Sequence, residues 1–134
     1  MPIVFAHEPD LSAEAFREVL VASTLAARRP VEDLARLERM LRAADLVITA
    51  RDGERLVGIS RALTDFAYCC YLSDLAVAVA YQRQGIGRRL IAETHALAGP
   101  LTALILLAAP DAQSYYPKIG LTQHPSCWTL PRTR

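Results

Sequence analysis

The chain has little of several things that would narrow its role at once. Lysine is nearly absent: of fifteen basic residues only Lys118 is not arginine, and fourteen acidic residues leave a net charge of +1. A chain so balanced has no electrostatic case for wrapping nucleic acid or coating an anionic membrane. Cysteine is limited to Cys69, Cys70 and Cys127, an odd count without CxxC spacing, so neither a disulfide framework nor a four-ligand zinc site follows. Adjacent Cys69 and Cys70 point to opposite faces of a strand and are expected as buried free thiols. Long hydrophobic runs are missing too. The most apolar window, Leu101 to Pro110, is about half of what a bilayer span needs, and Met1 to Asp10 has neither the basic start nor the apolar stretch of a signal peptide. A reduced, cytosolic protein with no nucleic-acid or membrane partner and no metal is expected.

What is present is an ordinary globule. The 134 residues suit one domain, 1–134, and 52% hydrophobic against 22% charged residues exclude a disordered or coiled-coil chain. Pro2 to Ala6 reads as an opening strand. Leu11 to Arg28 carries apolar residues at helical spacing and stops at Pro30, which opens a second helix striped by Val31, Leu34, Leu37, Met40 and Leu41. Then the period changes. Leu46 to Arg51 and Leu56 to Thr64 flank the Asp52-Gly53 turn signal, and Ala67 to Val79 extends beyond a second turn, giving a three-stranded antiparallel meander. A helix follows Gly85-Ile86-Gly87 to about Ala98, with Ile86, Leu90, Ile91, Thr94 and Leu97 facing inward. Leu101 to Ala108 is a continuous apolar strand of the kind buried on both faces. Asp111 to Ile119 is a short helix, and Leu121 to Leu130 supplies a last strand. The order β-α-α-β-β-β-α-β-α-β makes a mixed α/β (α+β) sheet, its fourth and fifth strands joined by a crossover helix.

The segment Gln82-Arg83-Gln84-Gly85-Ile86-Gly87-Arg88 lies between a strand and a helix. Such a loop leaves backbone N–H groups unpaired at the positive end of the helix dipole, which suits a phosphate, and Arg83 and Arg88 can add charge-assisted contacts. A bare tight turn without a ligand is the alternative. No Lys follows Gly87, so this is not a P-loop, and Leu90 stands where a dinucleotide fingerprint needs its third glycine.

The same loop resembles the acetyl-CoA loop of the GCN5-related N-acetyltransferase (GNAT) superfamily, Q/R-x-x-G-x-G/A, at every fixed position. About thirty residues on, Tyr115-Tyr116-Pro117-Lys118-Ile119-Gly120-Leu121 resembles the family's aromatic-Tyr pair followed by Gly and a hydrophobic residue, and Leu75-Ala76-Val77 is similar to its cofactor-facing strand. One departure is Ala109, where many members have Asn. The resemblance covers nearly the whole chain. It implies a GNAT-like fold with strands four and five splayed around acetyl-CoA, used as co-substrate. Leu75, Ala76 and Val77 would then pair with the pantetheine, and Gln82, Arg83, Gln84, Gly85, Ile86, Gly87 and Arg88 would hold the pyrophosphate.

It also implies transfer of an acetyl group to a primary amine of a small molecule or peptide by direct attack, with a non-catalytic acyl-CoA-binding or regulatory domain as the alternative. An alkyl amine of pKa ~10.4 is neutral only about once in 2,500 molecules at pH 7, so the site must strip or displace its proton. Asp74, the sole carboxylate in strand four, is a candidate for that task, or else a hydrogen-bonding residue near a bulge; Tyr71, Ser73 and His7 are other candidates. Tyr116 is the candidate acid for the departing thiolate. Glu14, Glu18, Glu32, Asp33 and Glu38 on the first two helices could attract a cationic amine, or could simply be solvated. A homodimer is common among the proteins this chain resembles.

Overall fold

The computed structural model describes residues 2–134, built on one five-stranded sheet in the order β1-β2-β3-β4-β5. The strands are β1 (Ile3–His7), β2 (Leu46–Asp52), β3 (Arg55–Thr64), β4 (Cys69–Val77) and β5 (Ala103–Ile105). The first four pair antiparallel and β5 pairs parallel to β4, so the sheet is mixed as the element order requires. Helices α1 (Ala13–Ser23) and α2 (Leu34–Ala43) cover one face, and α3 (Ile86–Ala98) covers the other.

The β2–β3 hairpin closes where the Asp-Gly signal puts it, with Asp52 opposite Arg55 and Gly53 in the left-handed region at φ 63°. Helix α1 starts on Ser12, whose hydroxyl accepts from the Ala15 amide, and α2 on Asp33, whose carboxylate accepts from the Arg36 amide at 3.0 Å. On the α1/α2 side Phe16, Leu20, Leu37 and Leu41 pack with Val47, Ile59 and Ala76. On the other side Ile86 and Leu90 pack with Leu46, Ile48, Ala50, Val57 and Cys70. Gly58 permits that second contact, since a Cβ there would lie 3.1 Å from Leu90 Cδ1.

Two irregularities decide which face each residue serves. Val57 in β3 and Ser73 in β4 are the extra residues of register shifts, Ala50 pairing with Gly58 but Arg51 with Leu56, and Arg61 with Asp74 but Ala62 with Leu72. A bulge breaks the alternation of a strand. Cys70 and Ala76, six residues apart, would share a face in a regular strand; here Cys70 packs under α3 and Ala76 under α1.

Several expectations from the sequence need correction. Helix α1 ends at Ser23, not Arg28, because Thr24 takes a left-handed conformation (φ 73°) and a 3-10 turn, Leu25–Arg28, follows. The inward stripe of α3 is Ile86, Leu90, Thr94 and Ala98, an i, i+4 row, and Leu97 is exposed. The expected strand from Leu101 to Ala108 forms only over β5, and Leu101, Ile105 and Leu107 are each more than half exposed, so the run is not buried on both faces. The short helix breaks into a 3-10 turn at Pro110–Ala112 and α4 (Tyr115–Lys118). Leu121 to Leu130 forms no strand: Pro125 cannot donate to a ladder, and β5 is too short to offer a long edge.

Candidate active site

The site lies where β4 and β5 part. They pair only at Cys69 with Ala103, Cys70 with Leu104 and Tyr71 with Ile105, so β4 from Leu72 to Val77 has no partner on its β5 side. Backbone groups there stay available to an extended ligand, and the Ser73 bulge sits at the fork.

At the far end of β4 the chain turns through Val79–Tyr81 into the glycine loop. The Gln82 side chain donates from Nε2 to the Val77 carbonyl at 2.9 Å, and the Tyr81 hydroxyl donates to Asp52 Oδ2 at 2.6 Å; the two bonds tie the loop to β4 and β2. Arg83 (φ 65°) and Gly85 (φ 81°) both lie in the left-handed region. Arg83 carries a strain that Gly85 does not. Gly85 is the N-cap of α3 and supplies no side-chain cap, so the first amides of the helix face outward at the positive end of its dipole. Arg83, Gln84 and Arg88 are exposed around them, and Ile86 is buried as an anchor.

The tyrosine pair divides its attention. A Cβ on Gly87 would come within 3.0 Å of the Tyr115 hydroxyl, so Tyr115 reaches the helix start only because Gly87 has no side chain. Burial raises the Tyr115 pKa, against the hydrogen bond from the Arg88 amide and the Arg88 charge. Tyr116, its ring edge-on to Tyr115 at 5.3 Å, instead lines a cleft of about 810 Å³ with Tyr71, Ser73, Leu75, Leu107 and Ala109. Burial, and then the neighbouring Tyr115, push the Tyr116 phenol upward, so it stays protonated across the neutral range.

Asp74 is placed differently from the open carboxylate that a proton acceptor requires. Its side chain is 0% exposed, with one oxygen bonded by Arg29 and the other by Arg61. Arg29 also donates to the Ser73 carbonyl at 2.8 Å, and Arg61 to Ser73 Oγ at 3.0 Å and the Met40 carbonyl at 3.3 Å. A carboxylate walled in by two guanidiniums orients them; it does not meet an amine in the cleft. Arg29, Arg61 and Ser73 therefore line the candidate site, and the sequence carried one sign of this: Arg61 is the one charge in β3 beyond its first residue, Arg55. His7 stands in β1, four strands away from β5 across the sheet, and the described residues hold no cluster of three metal-ligating side chains.

The strand pair thus opens beside a glycine-capped helix, with a phenol lining the cleft. Residues 9–126 match the acetyltransferase (GNAT) domain family, and the chain belongs to that family. Among solved structures, the chain resembles a GNAT-family protein from Streptococcus pneumoniae (21% identity, 99% of this chain and 98% of that one, TM-score 0.74). It also resembles a probable acetyltransferase from meticillin-resistant Staphylococcus aureus (19%, 99% and 100%, TM-score 0.79). A third likeness is an aminoglycoside N-acetyltransferase, AAC(6')-Iy, solved in complex with CoA (15%, 99% and 96%, TM-score 0.76). No curated protein matches. No helix among the described residues is long and apolar enough to cross a membrane.

Proposed function

We propose that this acetyltransferase moves the acetyl group of acetyl-CoA to a primary amine, of a small molecule or a peptide, bound in the Tyr116 cleft. Acetyl-CoA supplies the acetyl group as an activated thioester. The residues present fit it: the free β4 edge from Ser73 to Val77 suits the amides of the pantetheine arm, and the outward amides of Gln84 to Gly87, flanked by the side chains of Arg83 and Arg88, suit a pyrophosphate. The observation that carries the reading is the split role of the tyrosine pair. Tyr115 touches the start of α3 while Tyr116 faces the cleft, so one short helix connects the phosphate end to the reacting end.

Leu75, Ala76 and Val77 would align the arm along β4, and a backbone N–H near Val77 would polarise the acetyl carbonyl. The new C–N bond forms as the C–S bond breaks. Tyr116 donates its phenolic proton to the departing sulfur, and the proton leaving the nitrogen passes to water. Asp74 acts as a positioning residue, holding Arg29 and Arg61 at the cleft floor.

Tyr116→Phe tests this. CoA release followed with a thiol reagent is expected to show kcat lowered by about 10² or more, the usual worth of a positioned acid, with acetyl-CoA affinity nearly unchanged. An unaltered kcat would remove Tyr116 from the mechanism. Tight acetyl-CoA binding without turnover over a broad amine panel would favour a silent acyl-CoA-binding domain.

A further inference from the structure

Resting on that reading, we infer that the acceptor amine carries an anionic group, a carboxylate or a phosphate, which the arginine-lined end of the cleft holds. Arg28, Arg29, Arg36 and Arg61 line the cleft, and Arg132 and Arg134 reach it from the C-terminal segment. Among the described residues no Asp or Glu lines it. Asp74, beneath, offers one negative charge to the two guanidiniums of Arg29 and Arg61, which leaves that group net positive. Arg28 and Arg36 have no carboxylate partner among the described residues.

The acidic residues of the first two helices stay outside the cleft. Asp33 accepts the Arg36 amide at the α2 cap and lines an adjoining shallow pocket with Arg36 and Arg61, where its single charge leaves the arginine group in excess; Glu38 pairs with Arg42 at 3.2 Å, and Glu14, Glu18 and Glu32 do not line the cleft. The break at Thr24 creates the arrangement, since it turns the chain out of α1 so that Arg28 and Arg29 meet Arg36 of α2 and Arg61 of β3. Guanidiniums gathered at a concave surface repel one another and any cationic acceptor, and an oxyanion with two or three acceptor oxygens satisfies their paired N–H groups. The same charge acts on the amine. An ammonium in a positive cleft loses stability relative to the free base, so its pKa falls. That supplies a route to the neutral amine which the sealed Asp74 cannot.

The experiment measures thermal shift of the CoA-bound protein with malonate, inorganic phosphate or 1,3-diaminopropane, each against sodium chloride at equal ionic strength. Malonate or phosphate is expected to stabilise the complex and the diamine is not; which anion acts tells a carboxylate acceptor from a phosphate one. Arg28→Gln with Arg36→Gln is expected to keep the CoA shift and to weaken anion binding about tenfold or more. In turnover, β-alanine or 2-aminoethyl phosphate should exceed 1,3-diaminopropane in kcat/KM by about tenfold or more, a comparison that needs no variant. An equal or larger shift with the diamine, or an anion shift kept in full by the double variant, overturns the inference while leaving CoA-dependent transfer intact. Absence of any CoA shift in the unaltered protein instead overturns the transferase reading, and the inference with it.

Discussion

Replacing Asp74 with Asn separates two roles that a carboxylate in β4 could fill. The substitution keeps size and one carbonyl oxygen, but removes the charge that Arg29 and Arg61 share and turns an amide N–H₂ toward a guanidinium. Arg61 suffers most, because its side chain is only 9% exposed and its remaining partners are neutral oxygens. Removing one member of a buried ion pair costs about 3–5 kcal/mol, and Arg29, 22% exposed, points to the lower end of that range. For 134 residues the unfolding entropy near Tm is about 0.28 kcal/mol/K, so a loss of about 3 kcal/mol lowers Tm by roughly 10 °C. Thermal and urea unfolding measure this, the urea slope staying constant if the native fold is retained. CoA release on the same preparations gives the second axis. A positioning role requires Tm to fall, and the residual activity to keep the wild-type pH profile. Were Tm to stay within about 2 °C while kcat dropped by about 10² or more, Asp74 would be the proton acceptor and the placement argued here would be wrong.

The other expectations are simpler. Gly87→Ala places a methyl 3.0 Å from the Tyr115 hydroxyl, so it should displace that tyrosine and weaken CoA binding, read by the CoA-dependent thermal shift; an unchanged shift would show that Tyr115 gives way freely. The pH–rate profile should rise as the amine loses its proton and fall only above the ordinary tyrosine value of about 10, because burial penalises the Tyr116 phenolate and holds its proton to higher pH. Tyr116→Phe should erase that basic limb. The sign for stability runs the same way: above about 10 the unfolded chain ionises first, so the folded state weakens as pH rises.

Much of the fold is local in origin and was legible in the residues. The Asp52-Gly53 turn fixed one hairpin, Ser12 marks the start of α1, and Gly85 and Gly87 mark the opening of α3 between strand and helix, whereas α2 begins after Asp33 and not at Pro30, where the sequence had put it. The tyrosine pair, too, was visible, but the reach of Tyr115 to the start of α3 was not. Less legible was the breadth of secondary structure after α3. An apolar run such as Leu101 to Ala108 is equally consistent with a doubly buried strand and with a short, half-open one, and only the length of β4 left to pair with it distinguishes them.

By itself, then, the order of residues determined the elements whose signals lie within a turn or two: the helical stripes, the meander, and the glycine loop with its free amides. The tertiary structure alone decided what faces what. Left-handed Thr24 has no glycine to announce it, and the bulges at Val57 and Ser73 flip the side of the sheet that later residues serve. Arg28 and Arg29, Arg36, and Arg61 come from three separate stretches, and no spacing rule relates them. They meet because β3 and β4 pair with Arg61 opposite Asp74 while α1 breaks above them, and charge acts through distance in space, not along the chain.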